Sequence, residues 1–308
     1  MGKINDIEKV SYKKIIAMAD EQLNIVELIE EHPCPCGSQW IIYQYQRTSP
    51  LIISAWRDGN KHHFIINLDK CKLNLVPSLS AAGIENVFIE GDNVHIVYAG
   101  LAGAGVGVEL RNNAENVVNT ILYEKGGGSK LGKGAVITPK MEKVIVGIDD
   151  TDTKEDGATW VLANEIGKIV EKEGWGYYID HTIIQLYPGN PNKTQNCVSI
   201  ALTFAVYPEY KYKLKELIKS QLIEKSLSDK TAIAVYYGIA PSKSMKLFTC
   251  KAKRGMVSVE EAKSVAMRNN IDIIKVFEKD GGIIGAVAAL GLAEHHEDAA
   301  KLPDDINL

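Results

Sequence analysis

The sequence has few cysteines and no long hydrophobic run. Its five cysteines, at positions 34, 36, 71, 197 and 250, are a sparse and odd set. Such usage excludes a scaffold held by disulfides and is typical of a reduced compartment. No stretch approaches the ~18 uncharged apolar residues that a membrane span needs, and the segment MGKINDIEKV has no signal-peptide core. We therefore expect a cytoplasmic protein that does not enter a membrane.

The sequence also lacks an excess of positive charge. Lys and Arg number 35 against 39 Asp and Glu, which leaves a formal charge of -4. This balance excludes the uniformly positive surface of proteins that coat nucleic acid, so any RNA or nucleotide site must be local. The 308 residues, 45% of them hydrophobic and 24% charged, are typical of a globular protein with two domains.

The first half is predicted to be an α+β domain with an antiparallel sheet, covering residues 1–140 and serving substrate or partner binding. Apolar and aromatic runs predict strands over Ile15–Met18, Ile25–Ile29, Trp40–Gln46, Leu51–Trp56 and His63–Leu68. Asp58-Gly59-Asn60 predicts a hairpin turn, and a second turn is predicted around Gly91. Helical spacing of apolar residues predicts a helix over Ala104–Ile121.

Residues 126–134 are rich in glycine. The segment differs by one residue from a Walker A pattern, because Gly134 stands where Ser or Thr should hold magnesium. A strand-like run follows it, whereas a phosphate loop must open a helix. We interpret the segment as a domain boundary or as a flexible lid or substrate loop.

The second half, residues 141–308, alternates strand and helix patterns and is predicted to be an α/β domain. The predicted strands are Val144–Ile148, Ile179–Tyr187, Val198–Phe204, Ala232–Tyr237 and Ile271–Phe277, and the predicted helices include Thr159–Glu173, Tyr210–Ser226 and Gly282–Leu292. Ser258 with Glu261 forms a capping-box pattern that predicts a further helix ending near Asn269.

Three carboxylates, Asp149, Asp150 and Asp152, follow the apolar strand at 144–148. Their mutual repulsion requires a counter-charge, and Mg²⁺ takes one or two carboxylates beside substrate phosphates at such a strand end. The sequence therefore predicts a magnesium and phosphate site. The alternative is an Asp-rich turn in which Thr151 and Thr153 act as caps.

Two neighbouring segments suit phosphate binding. The helix that begins at Thr159 offers free backbone N–H groups, and Gly157 lets the backbone approach a ligand closely. Lys193, with Thr194 and Asn196, supplies a cation and neutral polar groups in a loop rich in proline and glycine.

Residues 240–255 hold five cations with no acidic residue between them: Lys243, Lys246, Lys251, Lys253 and Arg254. This run favours phosphate binding. The alternative is a solvated surface loop.

Three blocks resemble the kinase-like domain of the archaeal tRNA(Ile) agmatinylcytidine synthetases. They are GIDDTD at 147–152, the stretch IQLYPGNPNKTQN at 184–196, and Arg254-Gly255 together with GGIIGAVAALG at 281–291. The resemblance covers residues 143–293 and implies a kinase-like domain that uses ATP and Mg²⁺, with a ferredoxin-like part near 197–240. Together with the residue patterns above, it predicts Asp150, Lys193 and Thr159 as catalytic residues and a nucleotide site of Asp149, Asp150, Thr151, Asp152, Gly157, Thr194, Asn196 and Arg254.

The whole chain resembles the methanogenesis marker protein 11 family. The matching stretches are HPCPCGSQWIIYQYQRTSPL, AAGIENVFIEGDNVHIVYAGLAGAGVGVE, GGGSKLGKG, PKMEKVIVGIDDTDTKEDGATW and NPNKTQNC. This resemblance implies a methanogen and a role tied to methanogenesis, such as maturation of methyl-coenzyme M reductase or of a cofactor.

The sequence departs from the synthetases at two points. They phosphorylate a threonine of their own, and here Trp160 stands in its place with Thr159 one position earlier. The chain also ends soon after the kinase-like region, without the OB-fold and zinc-ribbon parts that hold tRNA, and this disfavours RNA as the substrate.

The sequence thus predicts an ATP- and Mg²⁺-dependent phosphoryl- or nucleotidyl-transfer enzyme associated with methanogenesis. The alternatives are a nucleotide-binding assembly factor without catalysis and an RNA-modifying enzyme. Cys34 and Cys36 lack the partners of a zinc site and are open to a role as thiols. The substrate, the phosphate bond that is broken and the oligomeric state also remain open.

Overall fold

The computed structural model describes residues 11–101 and 107–304, with the side chains of 35–38 outside the described part. The chain divides into two units, Met1–Met141 and Glu142–Leu308. Along the two described ranges, no helix is long and apolar enough to cross a membrane.

The first unit is built on antiparallel strands, as predicted. The strands are β1 (Lys14–Asp20), β2 (Ile25–Glu31), β3 (Ile52–Asp58), β4 (Lys61–Asn67), β5 (Ala82–Glu90), β6 (Asn93–Leu101), β7 (Asn119–Gly127) and the first part of β8 (Lys130–Asp149). Strands β1, β2, β4 and β3 pair antiparallel in that order, and so do β5, β6, β8 and β7. A short parallel pairing joins β1 to β8.

The predicted strand at Trp40–Gln46 is wrong, because these residues lie in helix α1 (Pro35–Thr48). The buried side chains Ile42 and Tyr45 are three residues apart, with the exposed Tyr43 between them. This spacing fits one face of a helix rather than the alternation of a strand. The exposed Cys34 is the residue that precedes the helix, and the side chain of Cys36 lies outside the described part.

The predicted helix over Ala104–Ile121 is also wrong where the structure describes it. From residue 107 onward there is only the short helix α2 (Val108–Arg111), and β7 begins at Asn119. Asn116 has φ +69, which cannot continue a helix, and its Nδ2 donates to the Ile15 carbonyl at 3.0 Å. Residues 102–106 lie outside the described part.

The glycine-rich segment forms the hairpin between β7 and β8 within the first unit. Gly126, Gly127 and Gly128 have φ values of +65, +124 and +58, which side chains strongly disfavour. The segment is therefore a turn that requires glycine, and the prediction of a domain boundary there is wrong. Whether it also contacts a substrate stays a prediction.

The second unit has an antiparallel sheet in the order β9-β10-β8-β11-β12. Its further strands are β9 (Gly176–Gln185), β10 (Val198–Val206), β11 (Ala232–Tyr237) and β12 (Asp272–Lys275). Its helices are α3 (Thr159–Lys172), α4 (Lys211–Lys225), α5 (Lys243–Arg254), α6 (Val259–Arg268), α7 (Ile283–Gly291) and α8 (His296–Ala300). The predicted mixed α and β fold is confirmed.

The order of elements from β8 to β11 is strand, helix, strand, strand, helix, strand. With the strand order β9-β10-β8-β11, this is the split βαβ arrangement of ferredoxin-like folds. The arrangement extends over a longer stretch than the predicted 197–240.

The two faces of β8 pack on different helices. Val144, Val146 and Ile148 pack in one core with residues of α3 and α4, and Ile145 packs in another with residues of α5, α6 and α7. Because side chains alternate along a strand, Gly147 and Asp149 share the face of Ile145. A Cβ built on Gly147 would lie only 1.9 Å from the Ala286 carbonyl oxygen, so α7 packs directly on the strand.

The predicted cap of α6 is confirmed and gives a testable stability effect. The Ser258 hydroxyl accepts from the Glu261 amide at 3.1 Å. We expect Ser258→Ala to lower the free energy of unfolding by about 1 kcal/mol, measured by urea denaturation. Ser264→Ala, in the middle of the same helix, is the control, and equal losses in the two variants would contradict a contribution from the cap.

Candidate functional site

The three predicted carboxylates lie at the end of β8. Asp149 is the last residue of the strand and Asp150 follows with φ +55, in the left-handed region that Asp tolerates better than most residues. The Thr231 hydroxyl donates to the Asp150 carbonyl at 2.9 Å and holds this turn. Backbone strain of this kind clusters at functional sites.

Asp149 and Asp150 form a pair of carboxylates that resists carrying two negative charges. The pKa of Asp149 is raised well above its ordinary value. Burial away from water is the larger cause, and the negative charge of Asp150 is the second. Withdrawal from water also raises the pKa of Asp150, although the Lys230 ammonium opposes this rise. The pair is therefore suited to a bound cation. Lys230 was not identified from the sequence.

Asp152 connects two loops of the site. Its Oδ1 accepts from the Thr194 hydroxyl at 2.7 Å, and its Oδ2 accepts from the Thr159 amide at 3.4 Å. The carboxylate thus lies at the start of α3, where the helix has unpaired N–H groups.

Thr159, the predicted phosphoryl acceptor, is 3% exposed. Its hydroxyl oxygen accepts from the Thr151 hydroxyl at 3.1 Å, and Thr151 is also buried. A phosphoryl group could reach Thr159 only if these contacts opened. The acceptor role of Thr159 and the nucleotide contact of Thr151 stay predictions.

Gly157 and Gln195 connect two loops. The acidic loop, residues 150–158, joins β8 to α3, and the Lys193 loop, residues 186–197, joins β9 to β10. Gly157 has φ +89, and a Cβ at this position would lie 3.1 Å from the Asp152 Cβ. The side-chain Nε2 of Gln195 donates to the backbone carbonyls of Thr153 and Gly157 at 3.0 and 3.1 Å. Gln195 therefore fixes the loop and was not identified from the sequence.

Lys193 lies in the same loop, with its ammonium donating to the Pro188 carbonyl at 2.5 Å. The carbonyl of Asn196 accepts from the Gln185 side chain at 3.0 Å.

Cys197 follows Asn196, and its pKa is raised to about 11. Burial away from water is the main cause and the charge of Asp149 the second, whereas the charge of Lys193 lowers the pKa. The thiol is therefore neutral near pH 7. Cys197 is a further neighbour of the carboxylates that the sequence patterns did not identify.

The first turn of α7 packs against Asp149. A Cβ built on Gly285 would lie 1.7 Å from the Asp149 Oδ2, so only glycine leaves room for this carboxylate. The Gly282 amide donates to the Lys230 carbonyl at 2.9 Å. The block at 281–291 thus brings the positive end of the helix dipole to the carboxylate pair.

The run of cations at 243–254 is helix α5 rather than a surface loop. Lys253 is buried, donates to the Gln185 carbonyl at 3.1 Å and to the Ala299 carbonyl, and has a pKa lowered by burial. Lys251 pairs at 2.8 Å with Glu261 from the next helix. The Lys246 ammonium lies 3.1 Å from the His295 Nε2. Three of the five cations therefore contact residues outside α5.

Arg254 ends α5 and is exposed, and its guanidinium donates to the Cys250 carbonyl at 3.3 Å. Its nucleotide contact stays a prediction.

Within residues 11–101 and 107–304, no three His, Cys, Asp or Glu side chains converge on a metal position. Mg²⁺ does not need three, because it is commonly bound by one or two carboxylates, phosphate oxygens and water. Asp149 and Asp150 fit this requirement, whereas Asp152 already accepts hydrogen bonds on both oxygens.

The chain is similar to known proteins over this unit. Residues 145–211 match the TiaS TCKD domain family. The tRNA 2-agmatinylcytidine synthetase TiaS of Pyrococcus horikoshii is 30% identical over 153 residues, which are 47% of this chain and 35% of that protein. The chain thus spans about a third of the length of that relative, and the predicted resemblance to the synthetase domain is confirmed.

A solved structure, the crystal structure of TiaS in complex with its tRNA and ATP, aligns over 49% of this chain and 36% of the other, with 28% identity and a TM-score of 0.43.

A longer match covers both units. The uncharacterized protein MJ0921 of Methanocaldococcus jannaschii is 73% identical over 299 residues, which are 97% of this chain and 99% of that protein. The resemblance to methanogenesis marker protein 11 is not tested by these matches and stays a prediction. The match over nearly the full length of both proteins shows that the chain belongs to the family of Methanocaldococcus jannaschii MJ0921.

Proposed function

We propose that the unit Glu142–Leu308 binds ATP with Mg²⁺ and transfers a phosphoryl or nucleotidyl group to an RNA acceptor. The observation that carries this proposal is that three features meet where β8 ends. They are two carboxylates that repel each other, the N-terminus of α3 and the loop that contains Lys193. Asp149 and Asp150 supply the pair, and Asp152 joins the start of α3 to Thr194 in the Lys193 loop.

In this proposal Asp149 and Asp150 hold Mg²⁺, which neutralises phosphate charge when bound. Asp152 is a positioning residue, because it fixes the two loops between which the phosphates would lie. Lys193 has three N–H donors, so its ammonium can keep the Pro188 carbonyl and still donate to a phosphate oxygen. Its charge would stabilise the phosphoryl group during transfer.

The comparisons support RNA as the acceptor class. The curated relatives of this unit are named as tRNA-modifying synthetases. This similarity favours the RNA-modifying alternative over the expectation that RNA is not the substrate. The proposed association with methanogenesis rests on the resemblance to methanogenesis marker protein 11, and no observation supports methyl-coenzyme M reductase as a partner.

The test is calorimetric titration of ATP into the full chain with and without Mg²⁺. Nucleotides are then separated by chromatography after incubation with and without total tRNA. We expect Mg²⁺-dependent binding and formation of ADP or AMP that tRNA stimulates. Binding without turnover under either condition would favour the assembly-factor alternative, and absence of binding would overturn the proposal.

A further inference from the structure

Trp160 is the second residue of α3 and is 46% exposed. The residue before it, Thr159, donates its amide to the Asp152 carboxylate at 3.4 Å. A large indole surface thus lies open to solvent one residue after the residue that contacts the Asp152 carboxylate. Single exposed apolar residues are common, so the surroundings of this indole decide whether it has a role.

The spacing of α3 shows which way Trp160 faces. Residues three and four apart share a side of a helix, so Trp160, Asn164 and Gly167 lie on one side. The Asn164 Oδ1 accepts from the Tyr178 hydroxyl at 3.2 Å, and a Cβ on Gly167 would lie 2.7 Å from the Tyr178 ring. This side of α3 therefore faces β9.

A second exposed apolar side chain lies on β9 near the same sheet edge. Ile183 pairs with Ile200, and Ile200 pairs with Ile148 directly before Asp149. Ile148 and Ile200 pack in the core that holds α3, so Ile183 shares the α3 face of the sheet. Ile183 is 37% exposed. Trp160 and Ile183 are thus two exposed apolar side chains on the α3 face of the sheet, near the end of β8, and we call them the apolar surface.

The position of this surface favours the acceptor over the adenine of ATP. Trp160 follows Thr159, whose amide donates to Asp152, the carboxylate that fixes the two loops between which the phosphates would lie. The acceptor must approach the reacting phosphate. In transfer of the terminal phosphoryl group, adenine lies at the opposite end of the triphosphate from the reacting phosphate. An open indole face also suits a base of a polymer, because stacking on an aromatic side chain does not require enclosure.

We infer that Trp160 is the stacking platform for an unpaired base of the RNA acceptor, with Ile183 extending the apolar surface. This inference rests on the proposed function and names the part of the RNA that the site binds. Since the bases of a duplex are already stacked and paired, the platform selects single-stranded RNA.

The test compares Trp160→Ala, Trp160→Phe and Trp40→Ala with the natural chain. Trp40 is the matched control, because it is also 46% exposed and lies on a helix, α1, of the other unit. The probe is a fluorescein-labelled single-stranded RNA of mixed sequence, measured by anisotropy, with the same sequence as a duplex beside it. We expect Trp160→Ala to weaken single-strand binding at least about fivefold, as loss of one base stack does. Trp160→Phe should retain most of the affinity, and Trp40→Ala should match the natural chain.

An ATP titration of each variant separates the outcomes. Weaker ATP binding with unchanged RNA binding would show that Trp160 contacts adenine and would overturn the inference. Absence of RNA binding by the natural chain, or equal losses in the Trp160 and Trp40 variants, would also overturn it. RNA binding that depends on Trp160 in a chain without ATP turnover would refute the proposed function and leave the inference standing.

Discussion

Replacing Asp150 by asparagine is expected to lower ATP turnover by about a hundredfold or more, the loss typical of removing one group that stabilises developing charge. The substitution removes a negative charge from the carboxylate pair that would hold Mg²⁺. Asparagine keeps the size of the side chain and tolerates the φ of +55 that Asp150 adopts, so the turn should persist. The measurement is the rate of ADP or AMP formation with tRNA present, at several Mg²⁺ concentrations.

Glu155→Gln is the matched control for this experiment. Glu155 is exposed in the same acidic loop, so its substitution removes the same charge without touching the carboxylate pair. We expect Glu155→Gln to leave turnover and the Mg²⁺ requirement unchanged. If Asp150→Asn behaves like Glu155→Gln, Asp150 does not hold the metal and the proposed function loses its central residue.

The part of the site that is continuous in sequence could be predicted. Asp149, Asp150 and Asp152 stand within four residues after an apolar strand, and the start of α3 at Thr159 follows from local pattern. Lys230 and Gly285 could not be found in this way. They reach the carboxylates only because β11 pairs with β8 and α7 packs on it, and no local pattern encodes these contacts.

The same limit applies to the fold. Alternating apolar runs identified most strands, but an apolar run with several aromatic residues fits either a strand or a buried helix face, and this ambiguity led to the error at α1. Most elements of the second unit were also recognised from local pattern, but α5 and α8 were not predicted. Their order in the sheet depends on pairing between distant segments, so the extent of the ferredoxin-like arrangement became apparent only from the strand register.

Replacing Gly147 by alanine is expected to destabilise the second unit by about 3 kcal/mol, at the upper end of the usual cost of overpacking a core. The added methyl group would lie 1.9 Å from the Ala286 carbonyl oxygen. A backbone atom of a packed helix cannot rotate away as a side chain can, so α7 must move off β8. Because Gly285 of the same helix packs against the Asp149 carboxylate, this shift should also weaken ATP binding.

Urea denaturation of the full chain, followed by ATP titration, tests both effects. Gly255→Ala is the control, since a Cβ at Gly255 would meet no atom within 4 Å and the φ of -177 is extended backbone that alanine adopts. If the two variants unfold at the same urea concentration, α7 does not pack on β8 as closely as the position of the Ala286 carbonyl indicates. A loss of stability without a loss of ATP binding would separate the packing of α7 from the geometry of Asp149. A loss of both stability and ATP binding would show that Gly147 and Gly285 together position the Asp149 carboxylate.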